Sequence, residues 1–179
     1  MMETITEFSI ALLKKALKEA PVTVVQFFED MCYCTGSLIS PAMFREFMLP
    51  RYRRITDVIR GLGVDTIFVD SDGKVDELIP LWLEAGINGV MPMEQAAGND
   101  IFAYRRQDGS DLLMAGGIDK RALAQGKAAI DRELEEKIPL AFHGGYIPHL
   151  DHLIPPDVPF DNLAYYWQRK KHLLGIQHQ

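Results

Sequence analysis

The residues with chemistry to offer recur at the ends of apolar runs. Glu29-Asp30, Asp70-Ser71-Asp72-Gly73, Pro92-Met93-Glu94, Gly116-Gly117-Ile118-Asp119 and His143-Gly144-Gly145-Tyr146 each follow a short stretch of strand-like composition. Asp and Gly are common turn and cap residues, so any single one of these acids has an ordinary structural explanation. A set repeated after successive strands is more informative, because ligands in parallel α/β architectures sit beyond the carboxyl ends of the strands. Carboxylates crowded at one such mouth oppose each other's ionisation, which raises at least one pKa and makes a proton donor. Asp30, Asp70 and Asp72 are the candidates for that role. Glu94, Asp119 and Tyr146 are candidate substrate contacts from the same pattern. Tyr33 in the loop after the first strand can donate a proton or hydrogen bond, or anchor the rim by packing.

Other reactive side chains carry less. Cys32 and Cys34 are separated by one residue, too close for an unstrained bridge, and have no basic neighbour in sequence to lower a thiol pKa. Ordinary thiols in a reducing compartment are expected. His143, His149 and His152 with Asp151 offer at most an improvised nitrogen and oxygen metal site, and the prolines among them already explain a loop, so no metal is expected. Neither glycine pair fits G-x-G-x-x-G or a P-loop, which leaves nucleotide binding little weight.

The elements that must position these residues follow from the apolar periodicity. Thr4 and Glu7 can close a capping box ahead of Ile5, Phe8, Leu12 and Ala16, predicting a helix over 4–19. Strands are predicted at 22–28, 64–69, 87–91, 111–115 and 138–142, the last from the run Ile138 to Phe142. Ser40-Pro41 starts a helix to about residue 60 with a kink at Pro50, and further helices fall near 74–85, 99–108, 119–137 and 160–174. Strands separated by helices imply parallel pairing through crossovers, hence an α/β sheet in one domain over 1–179. Tyr165, Tyr166 and Trp167 share a helix with Leu163, Leu173 and Leu174 and read as core packing.

Composition agrees with a globular chain: 179 residues, 47% hydrophobic and 25% charged, which excludes disorder, collagen and coiled coil. No apolar run reaches the length of a membrane span, and Met1-Met2-Glu3-Thr4 lacks the pattern of a secretory signal, so a cytoplasmic protein is expected. The net charge of −6 argues against nucleic acid as a partner.

Four motifs in order carry a resemblance: Phe27-Phe28-Glu29-Asp30, Pro41-Ala42-Met43-Phe44-Arg45-Glu46-Phe47-Met48-Leu49-Pro50, Leu113-Met114-Ala115-Gly116-Gly117-Ile118-Asp119, and Asp151-His152-Leu153-Ile154-Pro155-Pro156-Asp157-Val158-Pro159. Together they resemble the uroporphyrinogen decarboxylase superfamily over about residues 20–174, in its carboxyl-terminal half only. The resemblance implies a (β/α)8 barrel of which about five strands are present, since a complete barrel usually needs at least about 200 residues. It implies a cofactor-free carboxy-lyase for a tetrapyrrole: the pyrrole ring is protonated as an electron sink, CO2 leaves, and the new carbanion carbon is protonated. His152 falls where the decarboxylases keep a substrate-contacting His, and Asp30 falls where they have a small polar residue. The Arg that grips substrate carboxylates and the Asp at the tetrapyrrole's centre belong to the absent half. The alternatives within the same resemblance are a corrinoid-dependent, zinc-using methyltransferase, whose His-x-Cys pair is missing at Val69-Asp70-Ser71-Asp72-Gly73, and a non-catalytic half-barrel. The chain is then a truncated product, one half of a split barrel, or a half-barrel pairing with itself. Homo-oligomerisation or pairing with the missing half is expected, to cover open sheet edges.

Overall fold

The computed structural model describes residues 1–176 of the chain. Five parallel strands form its centre: β1 (Val24–Phe28), β4 (Thr66–Asp70), β5 (Gly89–Met91), β6 (Leu113–Ile118) and β7 (Tyr146–Leu150), hydrogen-bonded in the order β1-β4-β5-β6-β7. A two-residue hairpin, β2 (Cys32–Tyr33) and β3 (Gly36–Ser37), leaves the end of β1. Spatial order follows chain order without reversal, which is the winding of a (β/α)8 barrel and not of a doubly wound sheet. The fold is α/β, a five-stranded sector of such a barrel. Among the described residues β1 and β7 are edges, each paired on one side.

Helices cover one face. Ile67, Val69, Val90 and Met114 point into a core with Phe44, Ile55 and Ile59 from the chain's second helical segment, Trp82 from α4 (Ile79–Glu84) and Ile101 from α5 (Ile101–Asp108). A second cluster joins Ile118 to Leu123 of α6 (Arg121–Gln125), Ile130 and Leu134 of α7 (Lys127–Lys137) and Tyr166 of α8 (Phe160–Leu173). Because strand side chains alternate, the intervening residues face the other way. There Phe28 and Ile147 are 78% and 59% exposed, so the concave face carries apolar side chains that a closed barrel would cover.

Several local expectations are revised by tertiary contacts. The first helix, α1 (Met2–Glu19), starts two residues early and has no side-chain cap. Glu3 and Glu7 are instead drawn to Arg51 and Arg54, so no capping box closes. Residues 41–61 do run as one helical segment, α2 (Pro41–Met43), a π turn at Phe44–Met48 and α3 (Leu49–Gly61). Pro50 has no N–H for an α-type bond, and the irregularity is accommodated just ahead of it, where Leu49 N–H donates to the Phe44 carbonyl. The fifth strand is not 138–142: Ile138–His143 is a 3-10 turn continuing α7 past Pro139, and the strand is β7. Its Pro148 has no ladder donor, which an edge strand tolerates.

The glycine at position 116 is compulsory. Gly116, in β6, has φ +103°, and a Cβ there would lie 1.8 Å from the Pro92 carbonyl oxygen. That close approach lets Gly117 N–H donate to the same oxygen at 2.9 Å, tying the end of β6 to the loop after β5.

Candidate functional site

The carboxyl ends of the strands open into a cleft of about 490 Å³ lined by Phe28, Asp70, Asp72, Met91, Pro92, His149, Leu150, His152 and Leu153. Asp70 ends β4, in register with Phe28 of β1 and Met91 of β5, so the ladder itself aims its carboxylate inward. Gln26, two residues before Phe28 and on the same face, donates from Nε2 to Asp70 Oδ2 at 2.9 Å. Asp72 stands in the turn beyond, and its Oδ2 lies 3.2 Å from His152 Nε2. Leu153 N–H donates to His152 Nδ1 at 2.8 Å, so the neutral ring carries its proton on Nε2 and donates it to Asp72. His149 Nδ1 faces the Leu150 carbonyl at 2.6 Å and must carry its proton there, which leaves Nε2 as an acceptor.

Burial raises the pKa of Asp70, and the charges of Asp72 and Asp30 raise it further, against a smaller opposing pull from His152 and His149. The three acids stand near one another beyond the strand ends, and Asp70 is the one whose proton is held more tightly. Asp30 lies at the margin: its Oδ1 accepts from Asp72 N–H at 3.4 Å, and its side chain does not line the cleft.

The remaining candidates sit elsewhere. Tyr33 is brought to the rim by Lys74 N–H donating to its carbonyl at 2.9 Å, but its side chain is exposed and outside the cleft. Glu94 accepts from Gly73 N–H at 3.0 Å and faces Lys120 Nζ at 3.6 Å, bracing the turns behind the mouth. Asp119 faces a separate polar pocket; burial alone would raise its pKa, but hydrogen bonds from the Arg121 side chain and backbone outweigh this and hold it low. Tyr146 is corrected outright in position: it begins β7, is buried in the helix-side core, and donates its hydroxyl to the Gly116 carbonyl at 2.9 Å, far from the strand's carboxyl end.

Sequence reasoning did not select Gln26, His149 or Asp151 as site residues. Asp151 is fully buried; Oδ2 accepts from Gln95 N–H at 2.7 Å and Oδ1 from Lys120 N–H at 3.0 Å, clasping the loops after β5 and β6 beside His152. Asn99 completes the clasp, donating to the Gly73 and Glu94 carbonyls and accepting from Val75 N–H and the Tyr104 hydroxyl. Lys137, 6% exposed, donates to Gln95 Oε1 and the Gly117 carbonyl at 2.8 and 2.7 Å and pairs with Glu133. The only signal for Gln26 and His149 is strand phase, and for His149 that required the true position of β7.

Cys32 is buried and its thiol pKa is pushed up to about 11 by burial, while Cys34 is exposed. Among the described residues no group of three or more His, Cys, Asp or Glu side chains is placed to hold a metal ion. His143 and His149 fall on either side of the start of β7, so the three histidines do not converge. No helix among the described residues is long and apolar enough to cross a membrane.

Comparison with known proteins places this geometry in a family. The chain is 28% identical over 169 residues to the uroporphyrinogen decarboxylase of Syntrophotalea carbinolica, covering 92% of this chain and 46% of that protein. It is 27% identical over 150 residues to the chloroplastic uroporphyrinogen decarboxylase of Zea mays, covering 82% and 36%. The chain thus spans under half the length of these curated relatives. Among solved structures, a methyltransferase from Methanosarcina mazei superposes with a TM-score of 0.67 at 19% identity, over 94% of this chain and 47% of that one, a likeness of fold. The family model for uroporphyrinogen decarboxylase (URO-D) matches residues 1–172, and with the motif order and strand-end acids in register along the sheet, the chain belongs to the uroporphyrinogen decarboxylase family.

Proposed function

We propose that this chain supplies the carboxyl-terminal, proton-handling half of a cofactor-free carboxy-lyase site for a tetrapyrrole of the uroporphyrinogen type, completed by barrel strands from another copy or chain. The observation that carries this reading is Asp70, whose pKa burial and two flanking carboxylates raise, at the cleft floor beside the His152–Asp72 pair. Decarboxylation breaks the bond between an acetate methylene and its carboxylate, sends the electron pair into the protonated pyrrole, and ends with a proton on the methylene carbon. Asp70 is the group suited to give that proton. The His152 ring, oriented by Leu153 N–H and Asp72, is a contact for the substrate. Among the described residues no Lys or Arg lines the cleft, and the cations that hold the substrate's carboxylates come in this reading from the completing strands.

Titration of the full chain with uroporphyrin, read by quenching of porphyrin fluorescence, tests whether this mouth is the binding surface. His152→Ala is expected to weaken binding about tenfold through lost contact and hydrogen bonding, with Cys34→Ser unchanged. Loss of binding in Cys34→Ser with His152→Ala unaffected would place the site elsewhere.

A further inference from the structure

His149 brings to the cleft a ring nitrogen that the decarboxylase chemistry leaves idle. Its Nδ1–H is donated to the Leu150 carbonyl at 2.6 Å, so Nε2 is the nitrogen with a free lone pair, and among the described residues nothing donates to it. Histidines that bind metals share this arrangement: the other ring N–H goes to a carboxylate or a backbone carbonyl, which fixes the tautomer and makes the ligating nitrogen more basic. The carbonyl here belongs to the next residue of β7, so the strand itself orients the ring.

A free metal ion finds no home in this chain, since among the described residues no three ligating side chains come together. A metal that arrives already chelated by a macrocycle needs only an axial ligand from the protein, and for iron porphyrins a histidine commonly supplies it. The walls of the cleft suit a flat apolar ring. Phe28, Met91, Pro92, Leu150 and Leu153 line it with His149, and its volume of about 490 Å³ falls within the range of about 300–1,000 Å³ usual for cofactor sites. On the neighbouring β6, Gly116 and Gly117 stand in register with Pro148 and His149, so that strand sets no side chain beside the imidazole. Asp70 and Asp72 line the same cleft, and among the described residues no Lys or Arg does, a surrounding that favours the net positive charge of a ferric porphyrin core.

We propose that this cleft also binds an iron(III) porphyrin, with His149 Nε2 as the axial ligand. The proposal rests on the reading that the cleft takes a tetrapyrrole ring, and it adds a bond to the metal. The step is coordination alone: the Nε2 lone pair forms the bond to iron, a weakly held water leaves, and no electron is transferred. The porphyrin's own carboxylates point out of the mouth, away from Asp70 and Asp72. With the ring seated, Asp70 is covered, so the iron porphyrin excludes a metal-free substrate.

The test titrates the full chain with iron(III) protoporphyrin and with metal-free protoporphyrin. The expected result is saturable binding in which the Soret band moves to that of imidazole-ligated iron, with the iron porphyrin at least about tenfold tighter than the metal-free ring. His149→Ala should lose that band and bind the two porphyrins equally, and added imidazole should restore the band, which shows that the cleft of the variant is intact. His143→Ala, in the turn before β7 begins, should behave as the unaltered chain. Retention of the band in His149→Ala, or equal affinity of the unaltered chain for the two porphyrins, would overturn the axial ligand and leave the tetrapyrrole reading standing. Binding of neither porphyrin would overturn both.

Discussion

Asp70→Asn is expected to lower turnover by about 10²- to 10⁴-fold, the usual worth of a positioned general acid, while raising the melting temperature at neutral pH. The two effects have one cause. Burial and the charges of Asp72 and Asp30 raise the pKa of Asp70 in the folded chain, so ionising it there is unfavourable. Between the unfolded and folded pKa values the native state holds more protons than the unfolded one, and stability falls as pH rises through that window. Asn has no proton to lose and keeps a carbonyl for the Gln26 amide. The gain in melting temperature should therefore be absent below the ordinary carboxylate pKa of about 3.9 and complete above the raised value. Thermal scans across pH measure it. A lower melting temperature for Asp70→Asn at neutral pH would mean that the ionised carboxylate is held by stabilising contacts, and Asp70 would lose its role as donor.

Asp151→Ala is expected to destabilise the chain by about 2–4 kcal/mol, because two main-chain donors lose their acceptor in a place water does not reach, each worth about 1–3 kcal/mol less some relief of a buried charge. The Gln95 and Lys120 amides are those donors. Asn at the same position restores one acceptor and sets an amide N–H against the other donor, so it should recover only part of the loss. Urea denaturation with an unchanged m-value is the measurement; a cost under about 0.5 kcal/mol for both variants would show that another acceptor serves these amides.

The convergence of Asp30, Asp70 and Asp72 is legible in sequence because it needs only strand order and the rule that parallel strands present their carboxyl ends together. Val64 to Val69 is a β-branched run between Gly63 and Asp70, Ile87 to Met91 is a short run between Gly86 and Pro92, and their strands lie within two residues of the expected bounds. The last strand misleads for a physical reason. Ile138 to Phe142 has the more apolar composition, but α7 runs into it without a stop and Pro139 suits a 3-10 turn; Tyr146 to Leu150 contains a proline, which an interior strand would refuse and an edge strand accepts. That shift moved Tyr146 from the mouth to the core and brought His149 into the cleft. Asp151 and Gln26 act through partners 56 and 44 residues away, and no local pattern announces such pairs.

Whether this chain handles protons for a decarboxylase is decided most directly by release of labelled CO2 from carboxyl-labelled uroporphyrinogen, using the chain alone, the chain co-expressed with the remaining barrel strands of a relative, and the same assembly carrying Asp70→Asn. The expected result is release from the completed assembly in the presence of a metal chelator, and its loss with Asp70→Asn. No release from the completed assembly, or release undiminished by Asp70→Asn, would contradict it.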